Sequence, residues 1–401
     1  MIKEKSTDKN SIKRILLWAL ILLNFFDIIF LNFNLINYVL TFIIFFYSYK
    51  SHKVLFPYKK AIFIYTFFIF CSCIYSHYYN GQIMYKVLFN SYDYLTLLFA
   101  LLVMKYNLSS QHLLQIIKII SITFCCCYLI QWIIYPIHLF AGSLNDNTVT
   151  QNMFRMRMPG SICAFSLFFY GINQFLLNKK KINIVYIGLG FSVFMIMGFR
   201  TLLAFTLFFT LFLLYSVTKN IVKIIKYILL GCIITLGVSQ IEFVQLKIKE
   251  MQARQEKGDN FNNKDYIRYL EYEYFTNKQF IKPGEKLVGG GVPVYDGNDY
   301  ANSLNYASVT YGYFWVDLGL IGLSWIIGIP AVLILIIIII QCTIKIKDKD
   351  IMFIRYTLLT ILFSSLLTTA EIYRRGNFII IALFLCIEYT RSLENKKALT
   401  Q

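Results

Sequence analysis

Charge is scarce in this 401-residue chain: Asp, Glu, Lys and Arg make up 15% of it, against 58% hydrophobic and 18% aromatic residues. A soluble domain would carry about a quarter charged residues, so that class is excluded. Proline numbers only six and no half-to-half repeat shows, which argues against a transporter built from Gly- and Pro-broken helices in matching halves. Histidine numbers four, with none between 241 and 307. There is no Cys/His spacing for zinc and no Asp-x-Asp beside an apolar segment, so neither a metal nor a cofactor is expected. All nine cysteines lie in apolar stretches and none in the long hydrophilic segment, which removes a disulfide framework there. The Cys125-Cys126-Cys127 run reads as small apolar packing, with metal binding or lipidation as the alternatives. No small-residue cleavage site follows the first apolar stretch, from Ile15, which reads as a retained span.

What is present is a succession of apolar windows of about 20 residues, the length of a helix that crosses a bilayer. They predict an all-α polytopic membrane protein. Twelve spans are expected, at 15–33, 35–48, 60–77, 86–104, 113–135, 159–177, 182–198, 201–217, 222–240, 317–341, 351–369 and 378–390. Residues 1–240 carry nine of them, 241–307 form one large loop, and 308–401 carry three more and a tail. Lysine-rich segments fall on alternate connections: the N-terminal tail, 50–60, 105–118, 179–181, 219–226, 345–355 and the C-terminal tail. The excess of Lys and Arg on cytoplasmic loops makes that side the cytoplasm. Both termini then lie inside and the large loop outside. These inner segments hold 24 of the 39 basic residues and five acids, whereas the loop holds nine basic and ten acidic residues. The net charge of +18 is therefore a topology signal, and no nucleic-acid partner is implied.

Arginine breaks this pattern. Of 29 lysines, 21 are expected inside, yet seven of the ten arginines fall outside: Arg155, Arg157, Arg200, Arg254, Arg268, Arg374 and Arg375. Five of these sit in short connections at the membrane surface. A planar, permanently charged fork suits bidentate phosphate binding. A shared anionic ligand and simple snorkelling to headgroups are the two readings.

The loop reads as two helices, 241–257 along the interface and 264–280, followed by an irregular segment. In the second helix Arg268, Glu271, Tyr272 and Phe275 recur at i, i+3, i+4 and i+7, on one face. Gly289-Gly290-Gly291 offers a backbone that can approach a ligand closely. Tyr295 to Tyr306 is polar and aromatic, a composition that suits sugar contacts or an ordinary solvated loop. Asp317 either faces a cleft or complements the dipole at the start of its helix. Asp27 and Asp93 fall inside apolar spans and line a lipid path or serve structure.

The order of motifs resembles the O-antigen ligase and O-antigen polymerase superfamily. There, a late span opens with a Ser-Arg-Gly-like motif; this chain has Gly198-Phe199-Arg200-Thr201. The family's loop carries Arg-x-x-x-Trp and then a Leu-Gly-x-Gly turn; here stand Arg268-Tyr269-Leu270-Glu271-Tyr272 and Val288-Gly289-Gly290-Gly291. An acidic residue followed by Leu-Gly-Leu-Ile-Gly-Leu opens the next span, as in Asp317 to Leu323. The ligases place a His-Asn-x-x-Leu-like motif nine residues before that acid. Ser308 stands there in this chain, followed by the matching Thr310 and Tyr311. The missing histidine favours a polymerase over a ligase. The motif resemblance covers residues 198–325.

The resemblance implies a GT-C-like fold and glycosyl transfer between undecaprenyl-pyrophosphate-linked oligosaccharides on the outer face of a bacterial cytoplasmic membrane, whose lipids surround the protein, building O-antigen or capsule. A chain-length regulator is an implied partner. Departing pyrophosphate needs preorganised cations, and Arg200 and Arg268 match the family positions. Arg155, Arg157, Arg374 and Arg375 join them as pyrophosphate contacts. Tyr272, Gly290, Ser308 and Tyr311 are candidates for substrate contact. Glu271, one turn from Arg268, is the catalytic carboxylate candidate, with Asp296 and Asp299 as open alternatives for general base. A flippase for lipid-linked oligosaccharides is the main rival outside the superfamily.

Overall fold

The computed structural model describes residues 15, 17–19, 21–26, 28, 34–49, 55–140, 148–150, 153–155, 158–198, 200–223, 225–226, 229, 245, 266–282, 284–367 and 376–400. The described chain is helical apart from one pair of three-residue strands, Thr148–Thr150 (β1) and Met153–Arg155 (β2), antiparallel with Val149 opposite Phe154. Before it come Asn34–Tyr49 (α1), Lys59–Asn80 (α2), Met84–Asn90 (α3), Tyr92–Lys105 (α4) and Ser110–Ile134 (α5). After it come Ser161–Asn178 (α6), Ile182–Met197 (α7) and Arg200–Thr218 (α8). The hydrophilic segment contributes Ile267–Tyr274 (α9), Glu285–Val288 (α10) and Asp299–Tyr306 (α11). Gly319–Ile327 (α12), Ile329–Lys345 (α13), Met352–Leu367 (α14) and Asn377–Thr400 (α15) complete the chain.

Four helices, α2, α5, α6 and the Thr201–Thr218 part of α8, are long and apolar enough to cross a membrane; α3 and α4 taken together make a fifth. Their outward faces suit hydrocarbon and not water: Ile64 and Phe67 on α2, Ile130 and Ile133 on α5, and Phe208 and Phe212 on α8 are all exposed. Two expected spans depart from straight helices. The 86–104 span is bent by 59° between α3 and α4. At the bend the Ser91 hydroxyl donates back to the Val87 carbonyl, an i−4 bond that competes with the backbone ladder. Asp93 sits in the first turn after the bend, where the helix dipole favours a carboxylate. The 317–341 span is broken at Gly328, whose φ is +89°. The 222–240 span, Asp27 and the 241–257 helix lie wholly or almost wholly outside the described residues.

The first half of α15 is the central helix, apolar nearly all round and buried at every residue from Asn377 to Glu388. It packs on α4, α5 and α6. The closest helix pair is the hairpin of α6 and α7. A Cβ on Gly171 would come within 2.9 Å of the Asn183 carbonyl, and one on Gly190 within 2.7 Å of the Ala164 carbonyl. Small residues let apolar helices gain dispersion contact where no hydrophobic force separates them from lipid. All the described cysteines are free thiols; Cys125 is buried, Cys126 and Cys127 half-buried.

The two ends of the bundle differ chemically. At one end Arg391 bridges Asp348 and Asp350 at 2.7 Å each, Asn173 donates to the Lys349 and Asp350 carbonyls, Lys349 reaches the Val217 carbonyl, and Ser110 binds Glu394. Among the described residues, the lysine-rich connections 105–118 and 345–355 meet the C-terminal end of α15 there, beside the end of α8. At the other end the hydrophilic segment caps the bundle. Lys282 reaches the Tyr79 carbonyl, Asn80 donates to the Gly290 carbonyl, and Lys86 pairs with Asp296 at 2.9 Å.

Candidate functional site

At the capped end, α9 is a short amphipathic helix that packs on the turn Trp315–Leu318 preceding α12. Arg268 Nη1 donates to both oxygens of Glu271, at 3.1 and 2.8 Å, and to Asp317 Oδ2 at 2.5 Å. Glu271 also accepts the Phe314 N–H at 3.1 Å. The Glu271 side chain is 0% exposed, Asp317 16% and Arg268 27%. All the described hydrogen bonds of Arg268 use Nη1, so Nε and Nη2 of the fork make none among the described residues. Asp317 is the partner that sequence reasoning missed as such. It lies in a first turn, as expected, and its carboxylate also ties the segment to the mouth of α12.

Burial drives the Glu271 carboxyl up to about 7, against the pull of Arg268. Burial also opposes the charge on Arg268, but Asp317 and Glu271 outweigh it and hold the guanidinium above its ordinary value. Buried as it is, Glu271 touches Arg268 and the Phe314 amide and presents no surface to an acceptor hydroxyl. In this geometry it positions Arg268. A carboxyl whose folded pKa lies above its unfolded value binds more protons when folded, so its contribution is present below about 4.5 and is lost as pH rises through about 7. Thermal stability of the purified protein is expected to fall across that window, and Glu271→Gln is expected to flatten the dependence. An unchanged pH slope in Glu271→Gln would assign the dependence to other groups.

The glycine run takes a different role from the one its composition suggests. Gly290 N–H donates to the Trp325 carbonyl at 2.7 Å and Gly291 N–H to the Ile326 carbonyl at 3.0 Å. Ser72 adds a second donor to Ile326 at 2.6 Å. The backbone that was expected to approach a ligand instead closes the broken end of α12, satisfying carbonyls that Gly328 leaves without a helical partner. A Cβ on Gly290 would lie 2.7 Å from the Tyr300 hydroxyl, so its amide is covered.

The other predicted residues divide into three groups. Tyr272 is 44% exposed, with its ring 6.2 Å from Trp325, beside the buried Phe275 and Phe280. Tyr311 is exposed among Tyr274, Tyr306 and Tyr313. Ser308 is partly exposed and donates to the Asn305 carbonyl. Of the alternative bases, Asp296 is bonded by Lys86 and Asn298, which hold its carboxyl below the usual range, and Asp299 occupies the first turn of α11. Arg200 opens α8 and Arg155 ends β2, but their side chains are outside the description; Arg157, Arg374 and Arg375 lie outside the described residues altogether.

The chain neighbours of these arginines do converge. Gly160, at the start of α6, and Gly376, at the start of α15, both lie against the ring of Phe26 without room for a Cβ. The end of α7 lies at the same end of the hairpin, with Phe165 stacked on Phe194 at 5.4 Å. An open cavity of about 490 Å³ lies on α2, lined by Cys71, Ile74, Tyr75, Tyr78, Tyr79 and Val288; none of the predicted site residues lines it. No family model matches the chain, and no curated protein matches it.

Proposed function

We propose that this protein is a glycosyltransferase of the O-antigen polymerase type. It joins undecaprenyl-pyrophosphate-linked repeat units into surface polysaccharide on the outer face of the bacterial cytoplasmic membrane. In this reading the chain crosses the bilayer twelve times. The shorter apolar helices and the two halves broken at Gly328 are counted among the twelve, as is the expected 222–240 span outside the described residues, and the lysine-rich end with both termini faces the cytoplasm.

The observation that carries the reading is the Arg268 fork. Two carboxylates hold it through one nitrogen at the capped end of an apolar bundle, and the rest of the fork remains for an anion. With two acids beside it, Arg268 does not make a cationic site alone. Gly160 and Gly376, the described residues that follow Arg157 and Arg375, meet at Phe26, which supports a shared basic site for the pyrophosphate. The acceptor hydroxyl attacks the anomeric carbon, the bond to the pyrophosphate lipid breaks, and the hydroxyl proton passes to a base.

Glycan size on a gel tests this, in a deletion strain complemented with wild type, Arg200→Ala or Arg268→Ala. Single repeat units on the surface, with no ladder restored by variants that insert normally, are expected. Units trapped on the inner face would make the protein a flippase, and long polymer left on its lipid would make it a ligase.

A further inference from the structure

Four tyrosines from separate segments meet beside the Arg268 cluster. Tyr311 and Tyr313 are stacked, with centroids 5.4 Å apart and planes at 26°. Tyr274 lies 5.7 and 5.6 Å from them, and Tyr306 lies 5.8 Å from Tyr311. Lys278 Nζ sits 5.7 Å over the Tyr274 ring. Tyr306 and Tyr311 are 55% and 47% exposed. Two π-helical turns bring the group together: Phe275–Gln279 continues α9 directly after Tyr274, and Ala307–Tyr311 continues α11 directly after Tyr306. Such turns are uncommon and recur at functional sites. Here they interrupt the regular helical progression in both segments. Tyr313 immediately precedes Phe314, whose amide binds Glu271, so the rings adjoin the arginine centre.

The rim of the cluster is polar. Gln279 donates to Ser303 at 2.6 Å, and the exposed Asn302 and Asn305 stand on the same helix as Tyr306. Rings fixed by one another and fringed with hydroxyls and amides offer flat apolar surface at little entropic cost, with hydrogen bonds at the edges. That combination matches the alternating C–H and O–H faces of a pyranose. A face buried in lipid would have to desolvate Lys278, Asn302 and Asn305.

We infer that Tyr274, Tyr306, Tyr311 and Tyr313 form a stacking platform for the saccharide chain, holding sugar residues next to the arginine centre. The inference rests on the polymerase reading and adds where the sugar lies. The full-length protein in nanodiscs is titrated calorimetrically with delipidated polysaccharide released from the source strain by mild acid. Wild type and the Tyr311→Phe/Tyr313→Phe pair are expected to bind alike, because the rings remain. The Tyr311→Ala/Tyr313→Ala pair is expected to bind about tenfold more weakly at unchanged melting temperature, given the usual worth of aromatic stacking. Equal binding by the alanine pair overturns the platform. So does quenching by brominated phospholipid of a tryptophan placed at Tyr311 (Tyr311→Trp, read as the difference from wild type) with no response to polysaccharide, which would make the patch a membrane contact. A deletion strain that keeps its polymer sinks the polymerase reading. Unweakened binding by the alanine pair, in a strain whose polymer depends on this chain, sinks the platform alone.

Discussion

Arg268→Ala is expected to remove the polymer ladder and to destabilise the capped end of the bundle together. The two effects have separate causes. Loss of a preorganised charge at a developing anion lowers the rate by about 10²- to 10³-fold. The loss of stability comes from Glu271, whose side chain is 0% exposed and keeps only the Phe314 amide once its cation is gone. Removing one partner of a buried ion pair costs about 3–5 kcal/mol, but Glu271, already raised to about 7 beside its cation, takes up a proton when Arg268 is gone, so the loss falls below that range near neutral pH and grows as pH rises. Adding Glu271→Gln to Arg268→Ala is expected to restore part of the melting temperature, since the fully buried carboxyl is then replaced by a neutral amide and only the partly exposed Asp317 is left without its cation, while the ladder stays absent. Full activity in the double variant would show that Arg268 serves only to neutralise Glu271. A single variant with wild-type stability would show that the cluster does not anchor the segment.

Gly289→Val is expected to be among the most damaging single substitutions in the chain. A Cβ there would lie 2.5 Å from both the Gly328 nitrogen and the Ile326 carbonyl oxygen, and these are backbone atoms of the helix break that cannot rotate away. The residue also sits at φ +92°, in the region that side chains avoid. Displacing it pulls the Gly290 and Gly291 amides from the Trp325 and Ile326 carbonyls, leaving buried acceptors unmet. Together these exceed about 4 kcal/mol, the threshold of exceptional substitutions. Limited proteolysis across 281–296 and a melting curve measure it, with rapid cleavage expected. Gly312→Ala is the control. Gly312 has a similar φ of +69° but nothing within 4 Å of its Cβ position, so only about 1–2 kcal/mol is expected. Equal effects in the two variants would mean that backbone conformation, and not close packing, is what Gly289 provides.

The legible part of the site was local. Arg268 and Glu271 lie three residues apart, and helical spacing alone puts them in contact, as the structure shows. Tyr272 is on the same helix and also touches Trp325, but it turns partly to solvent, while Phe280, stacked on Trp325 at 5.2 Å, and Phe275 are the buried rings there. Asp317 lies 49 residues from Arg268 along the chain, and no period connects them. Its position at a helix start made the dipole a sufficient account of it. Of the tyrosine cluster, the sequence singled out Tyr311 and the aromatic stretch ending at Tyr306, but not Tyr274 or Tyr313, whose rings join them through π-helical turns that shift side chains off the 3.6-residue repeat.

Apolar run length and lysine distribution were readable from residue type because each residue's transfer and charge terms add along a window. That is why α2, α5, α6 and α8 stand close to where hydropathy puts them, and why the basic connections gather at one end. The break at Gly328 and the glycine seal over it were decided by tertiary structure. Each depends on two backbones approaching to within 3 Å, and a distance between segments more than 30 residues apart is not a property of either segment. The same holds for the Arg268 centre, where burial by the fold turns an ordinary glutamate into an acid that titrates near 7.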